Sequence, residues 1–204
     1  MAVAAGVVIW LSITATGVLL GLLFSSAIAA AILGVVSGLF AIPFARAVAV
    51  GRPYSGGLGV WRWFLDVTWS SLNTWAGSLY YAIHRITGNT HDLTKTKGKG
   101  SIWLTKGVST KYATTIGTVK AGSSDRIDKH EEIHIFQARL FGPLYLPLVG
   151  LNYVVASIIP YWLLFPRDKK RYPIDSLGHY FENGVYPNVW NELWAYKAAP
   201  SKPH

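Results

Sequence analysis

Cysteine is absent from this chain of 204 residues. A protein without cysteine can form neither a disulfide framework nor a thiolate metal site. Any metal ion that the chain binds must therefore be held by histidine and carboxylate side chains.

Charged residues are also scarce, at 14% of the chain against roughly 25% in an average soluble domain. Acidic residues are the rarer kind, with 10 Asp and Glu against 19 Lys and Arg, and the formal net charge is +9. No nucleic-acid-binding motif accompanies the positive charge, so no nucleic-acid partner is expected. The composition instead indicates a basic surface that faces anionic lipid headgroups or the cytoplasmic side of a bilayer.

Two uncharged apolar runs stand near the start of the chain, at residues 3–24 and 27–45. Each is long enough to cross the hydrocarbon core, for which a helix needs ~20 apolar residues. The polar break Ser25-Ser26 between them predicts a transmembrane helical hairpin within residues 1–50. A cleaved signal peptide is not expected, because the N-terminus lacks basic residues and the run is too long.

Basic residues follow the hairpin at Arg46, Arg52 and Arg62. By the positive-inside rule they predict an integral protein of the bacterial inner membrane or its equivalent, with both termini and the polar domain on the cytoplasmic side. Apolar residues then recur at helical spacing through residues 58–87, interrupted by polar ones. This pattern predicts an amphipathic helix within residues 51–88 that lies at the membrane interface, with His84 on its polar face.

A third apolar stretch, residues 144–165, is uncharged but interrupted by Pro147, Gly150 and Pro160. Basic residues flank both of its ends. Positive charge on both sides predicts a re-entrant or in-plane hairpin that turns near Gly150. A simple third crossing of the membrane is the alternative.

The polar residues that follow position 88 contain both strand and helix signals. Residues 102–105 and 112–120 are dense in β-branched and aromatic side chains and predict a short antiparallel pair. Ser123-Ser124-Asp125 supplies helix-capping chemistry for a helix from about residue 125 to 141, which ends at Gly142-Pro143. A short helix is predicted at about 187–198.

The predicted helix at 125–141 contains the complete motif His130-Glu131-Glu132-Ile133-His134, an H-E-x-x-H pattern. Residues four apart share a helix face, so His130 and His134 can bind one metal ion. Glu131 then stands where such sites keep the carboxylate that activates a metal-bound water.

Together with a later Asn191-Glu192-x-x-Ala195, the motif resembles the gluzincin pattern of zinc metallopeptidases. The resemblance implies a zinc ion held by His130, His134 and Glu192, with Glu131 as the general base. It further implies a small α+β, zincin-like domain at residues 89–204 within a mainly α-helical membrane protein. Rival third ligands are Glu182, His179 and Asp175; Glu192 is preferred for its helical context and the small Ala195 that follows.

A longer run, His130-Glu131-Glu132-x-His134-x-x-Gln137 followed by Gly142-Pro143-Leu144-Tyr145-Leu146, also resembles a group of small uncharacterised bacterial membrane proteins. That group usually has Gly where this chain has Ile133, and no activity is assigned to it. Gln137 lies on nearly the same face as His134 and could orient this ligand, while a purely structural hydrogen bond is the alternative. Glu132 points to another face, towards Arg126, Lys129 or solvent.

Two functions fit these patterns. The first is a membrane zinc metallopeptidase that cleaves peptide substrates; the second is a non-catalytic subunit of a larger membrane complex, bioenergetic or other, with a structural or vestigial metal site. Membrane lipids are expected partners in both. Glu192 can join the two histidines only if it lies on their side of the membrane, which requires residues 144–165 to re-enter.

Overall fold

The computed structural model describes residues 2–108, 113–122, 124, 127–164 and 173–199. This part of the chain is mostly helical and includes a small three-stranded sheet. The chain divides into two compact units, Met1–Pro143 and Leu144–His204.

The first unit begins with the predicted helical hairpin, formed by α1 (Ala2–Leu22) and α2 (Ala27–Gly51). The Ser26 hydroxyl caps α2 by accepting the Ala29 N–H at 3.2 Å. α2 extends to Gly51, beyond the uncharged run that ends at residue 45, because Arg46 faces outward and does not interrupt the buried face.

The helix predicted at 58–87 is two helices, α3 (Gly59–Val67) and α4 (Ser71–Ile86). At the break, Ser70 and, in the first turn of α4, Asn73 donate side-chain hydrogen bonds to the carbonyl oxygen of Ala138, each at 3.0 Å. Because the acceptor Ala138 is distant in the sequence, the apolar periodicity of residues 58–87 does not predict the break. Placement of this segment at the membrane interface stays a prediction.

The sheet is formed by β1 (Ile102–Leu104), β2 (Thr114–Ile116) and β3 (Val119–Ala121), in the order β1-β3-β2. β1 pairs with β3 in parallel, and β2 pairs with β3 antiparallel. The predicted antiparallel pairing of 102–105 with 112–120 is therefore wrong. Gly117, at a φ of 57°, turns the second segment back on itself and makes it a hairpin. Tyr112 lies outside the described residues.

After the short helix α5 (Leu93–Thr96) and the sheet comes the motif helix α6 (Asp128–Phe141). It ends where predicted, at Gly142, whose φ of 55° favours glycine. The predicted capping residues Ser123 and Asp125 lie outside the described residues. In the described part, the Asp128 carboxylate accepts the Ser124 backbone N–H at 3.2 Å.

The second unit contains α7 (Tyr145–Ile158), α8 (Leu177–His179) and α9 (Trp190–Ala198), joined by short 3₁₀ and π-helical segments. α7 continues through Gly150, so the predicted turn there is wrong. It ends instead before Pro160, which lacks a backbone N–H and disfavours helical geometry in the residue before it. Asn152 of α7 accepts the Trp190 N–H at 2.8 Å, so within this unit the chain returns to α7.

Among the described residues, helices long and apolar enough to cross a membrane are Ala2–Leu22, Ala27–Gly51 and Asp128–Ile158. The third includes α6, a 3₁₀ turn at Gly142–Leu144 and α7. The basic residues predicted to flank its far side, Arg167, Lys169, Lys170 and Arg171, lie outside the described residues. Re-entry of residues 144–165 and the cytoplasmic placement of both termini stay predictions.

Candidate metal centre

One face of α6 carries the motif side chains into the protein interior. Residues 130, 134 and 137 share this face because helical residues three and four apart are neighbours. Gln137 is fully buried, and His130, Glu131 and His134 expose 2%, 3% and 6% of their surfaces. Polar side chains that are buried this deeply need hydrogen-bond partners or a bound ion. Their contacts therefore indicate the role of this face of α6.

The two imidazoles meet through their ε nitrogens. His130 Nε2 and His134 Nε2 are 3.1 Å apart, and the ring planes are inclined at 79°. The Oε1 atom of Gln137 lies 3.0 Å from His134 Nδ1. An amide oxygen can only accept, so His134 carries its proton on Nδ1 and its Nε2 lone pair points towards His130. This is the tautomer that binds a metal ion through Nε2.

The two adjacent glutamates of the motif have different surroundings. Glu131 is buried, whereas Glu132 is exposed. The outward position of Glu132 agrees with the expectation that it points to another face, towards Arg126, Lys129 or solvent. Lys129 is also exposed, and Arg126 lies outside the described residues. Glu131 is therefore the carboxylate of the pair that lies inside the protein.

The first turn of α6 is anchored to the sheet by charge. Asp128 forms ion pairs with Lys120 of β3 and, at 3.2 Å, with Lys95 of α5. The Lys120 side chain is fully buried, with its ammonium 3.8 Å from the ring centre of Trp103. Burial lowers the pKa of Lys120, while the hydrogen bond to Asp128 opposes that shift. This cluster positions the start of the motif helix.

The far end of α6 is anchored by a second buried ion pair. Arg139 donates from Nε and Nη2 to the Asp66 carboxylate of α3, at 2.8 and 2.7 Å. Tyr54 donates its hydroxyl to the same carboxylate at 2.9 Å. A bidentate ion pair of this kind fixes both the position of α6 and its rotation about the helix axis. A rotation of α6 that moved its histidines would break this pair.

His130, His134 and Glu192 form a group that could hold a metal ion. One ligand atom from each lies within 4.8 Å of the others, and all three residues are buried. Asn191 donates to Glu192 Oε1 at 3.2 Å. Two imidazole nitrogens and a carboxylate suit zinc and related divalent transition metals. No other such group occurs among the residues that the structure describes.

The rival ligands are not part of this group. His179 and Asp175 lie four residues apart, pair with each other and are largely exposed, and Glu182 is exposed. His84 is also outside the group: its Nδ1 lies 2.9 Å from the Asn89 amide, and burial lowers its pKa.

Sequence reasoning missed the two anchors of α6. Lys120 and Asp66 each stand among mainly apolar neighbours in the sequence. A single charged residue in such a segment indicates a buried ion pair, and this pattern could have predicted both anchors. Helical periodicity alone would assign their partners Asp128 and Arg139 to the exposed face of α6. The two pairings follow only from the tertiary fold.

No protein-family model, curated protein or solved structure matches this chain. The two resemblances drawn from the motif therefore rest on the motif residues themselves.

Proposed function

We propose that this chain is a membrane-embedded, zinc-dependent metallopeptidase in which His130, His134 and Glu192 bind the metal ion and Glu131 is the general base. The observation that carries the proposal is the convergence of these three ligand atoms within 4.8 Å of one another. Three protein ligands with a fourth position left for water is the arrangement of catalytic zinc sites.

The donor set fits zinc. The facing ε nitrogens of His130 and His134 need either a shared proton or a shared cation, and the Gln137 contact directs the His134 Nε2 lone pair towards His130. A bound zinc ion would lower the pKa of its water to about 7 and polarise the scissile carbonyl. The carboxylate of Glu192 would offset part of the metal's charge, as the third protein ligand.

Glu131 would accept the proton of the attacking water and pass it to the leaving amine nitrogen. Its position next to His130 in the chain, together with its burial, favours this role over that of the exposed Glu132. Gln137 would keep the His134 ring fixed throughout the reaction.

The test compares Glu131→Gln with the matched neighbour Glu132→Gln. Peptide hydrolysis is measured by mass spectrometry on a mixed-sequence library that contains both water-soluble and membrane-inserted apolar peptides, and bound metal is measured by elemental analysis. Glu131→Gln should lower hydrolysis by about 10²–10⁴-fold with metal retained, since positioned proton transfer contributes that much. Glu132→Gln should hydrolyse at the wild-type rate. Full activity in Glu131→Gln would remove the mechanism.

A second candidate, a non-catalytic subunit of a larger membrane complex with a structural metal, is favoured by one observation. His130, Glu131, His134 and Glu192 each expose no more than 6% of their surface, and structural metal sites are closed where catalytic ones keep an open position. Bound metal without hydrolysis of any library peptide by the wild-type protein would support this candidate instead.

A further inference from the structure

The depth of His130 and His134 within the first unit follows from contacts between the helices of that unit. α3 runs alongside α1: Trp63 donates its indole N–H to the Ala5 carbonyl at 3.4 Å, and Ser12 donates to the Val67 carbonyl at 2.8 Å. Ser12 stands halfway along α1. From Trp63 to Val67, α3 therefore descends from the start of α1 to its middle.

α4 then returns along α2. Trp75 donates to the Ser37 hydroxyl at 2.8 Å, and the Tyr81 ring packs edge-on against Phe44 at 5.9 Å. Ser37 stands near the middle of α2, and Phe44 lies closer to its end at Gly51. The turn between α3 and α4 therefore reaches the level of the middle of the helical hairpin.

The motif helix spans the same interval. Near its end, Ala138 accepts hydrogen bonds from Ser70 and Asn73, which belong to that deep turn and the first residues of α4. At its start, Asp128 pairs with Lys95 of α5, the short helix whose Thr96 packs closely against Gly51 at the end of α2. α6 therefore runs from the level of the end of α2 to the level of its middle.

Helical rise converts these positions into depth. At ~1.5 Å per residue, His134 and His130 lie about 6 and 12 Å from the level of Ala138. The middle of a spanning helix lies ~15 Å from the edge of a 30 Å hydrocarbon core. If α1 and α2 span the bilayer, both histidines lie below the headgroups.

The outward face of α6 changes character over the same interval. Its exposed residues are charged in the first turns, at Lys129 and Glu132, and apolar beyond them, at Phe136 and Leu140. Phe136 and Leu140 expose 52% and 50% of their surfaces. Charged residues at the boundary and apolar ones below it are what a helix entering lipid requires.

We infer that His130 and His134 lie inside the hydrocarbon layer, within one helical turn or two of the headgroups, and that the substrate of the proposed peptidase is an apolar peptide segment embedded in the membrane. The substrate class rests on the proposed function, whereas the depth does not. A soluble peptide would have to leave water to reach His130 and His134, while a membrane-embedded segment already lies at their level.

Depth is tested by cysteine labelling, which has no background because the chain contains no cysteine. Single variants Glu132→Cys, Phe136→Cys and Leu140→Cys are placed in phosphatidylcholine nanodiscs and treated with a charged, membrane-impermeant maleimide. Ser55→Cys in an exposed loop is the aqueous control, and Val35→Cys, 64% exposed on α2, is the lipid control. All five should label equally in denaturant, which verifies the reagent.

Glu132→Cys, which lies at the level of the two histidines, should label at a rate between those of Ser55→Cys and Val35→Cys. Phe136→Cys and Leu140→Cys should label at least tenfold more slowly than Ser55→Cys, like Val35→Cys. Labelling of both at the rate of Ser55→Cys would overturn the inferred depth.

The substrate class is tested with two defined probes. One is a Leu- and Ala-rich peptide with ~20 apolar residues, long enough to span the bilayer, placed in the same nanodisc; the other is casein in solution. The wild-type protein should cleave the embedded peptide at least tenfold faster than casein, and Glu131→Gln should cleave neither. Faster cleavage of casein would overturn the substrate class while leaving the peptidase intact. If the wild-type protein cleaved neither probe, the proposed function would be contradicted. The inferred depth would still hold if Phe136→Cys remained protected from the maleimide.

Discussion

His134 has two ring nitrogens with different partners, and this asymmetry gives the candidate site its chemistry. Nδ1 faces the Gln137 amide oxygen at 3.0 Å, and Nε2 faces His130 Nε2 at 3.1 Å. The amide thus selects Nδ1 as the nitrogen that carries the proton, and Nε2 as the one that faces His130. Gln137 is fully buried, so no water can easily replace it.

Replacing Gln137 with Leu should therefore weaken metal binding by 10–100-fold, the usual cost of removing an outer partner of a ligating histidine. Leu has a similar volume but leaves the His134 Nδ1–H without an acceptor. The dissociation constant is measured by competition with a zinc chelator. Phe136→Leu, a change on the exposed side of the same turn, is the control and should bind as wild type. Equal affinities for both variants would assign Gln137 a purely structural role.

The residue pattern of α6 could be predicted from the sequence because helical spacing alone brings His130, His134 and Gln137 to one face. The outward position of Glu132 also followed from that spacing. The Lys120–Asp128 pair could not be predicted in the same way. It requires β3 to lie beside Trp103, and the parallel pairing of β1 with β3 brings together segments that are far apart in the sequence.

At the scale of helices, α1 and α2 pack closely because glycines leave room for the facing backbone. A Cβ atom at Gly17 would lie 2.6 Å from the Leu33 carbonyl oxygen and closer still to the Ser37 hydroxyl. Small residues at such contacts are the usual basis of helix association in lipid, where apolar burial contributes little.

Gly17→Ala should therefore destabilise the protein by about 1–3 kcal/mol, the range for overpacking a tight contact. Gly57→Ala is the control, because a Cβ there meets nothing within 4 Å and the backbone conformation suits any residue. Thermal unfolding of both variants in detergent gives the comparison. A melting temperature of Gly17→Ala as high as that of Gly57→Ala would contradict the close packing.

Elements set by local pattern were predicted well, whereas elements set by distant contacts were not. The helical hairpin and the end of α6 at Gly142 follow from apolar length and from a glycine at positive φ. The break between α3 and α4 is stabilised by hydrogen bonds to Ala138, far along the chain. The sheet order likewise depends on non-local pairing.

For the whole molecule, the first unit combines a candidate transmembrane hairpin, a small sheet and a motif helix fixed at both ends by buried ion pairs. Anchors of this kind keep the side chains of a candidate metal site in place, because a site supported on rigid elements loses little binding energy to rearrangement. The sequence alone indicated a membrane protein with a metal motif. The depth of that motif required the contacts of α3, α4 and α6.

The central claim is that His130, His134 and Glu192 bind a metal ion, and elemental analysis of the purified protein tests it most directly. The wild-type protein, prepared without chelators or an affinity tag rich in histidine, should contain about one zinc ion per chain, since one set of three ligands binds one ion. His130→Ala/His134→Ala should contain almost none, and Glu192→Gln should lose its metal to a mild chelator. Wild-type protein without metal, or a double variant with as much zinc as wild type, would contradict the account.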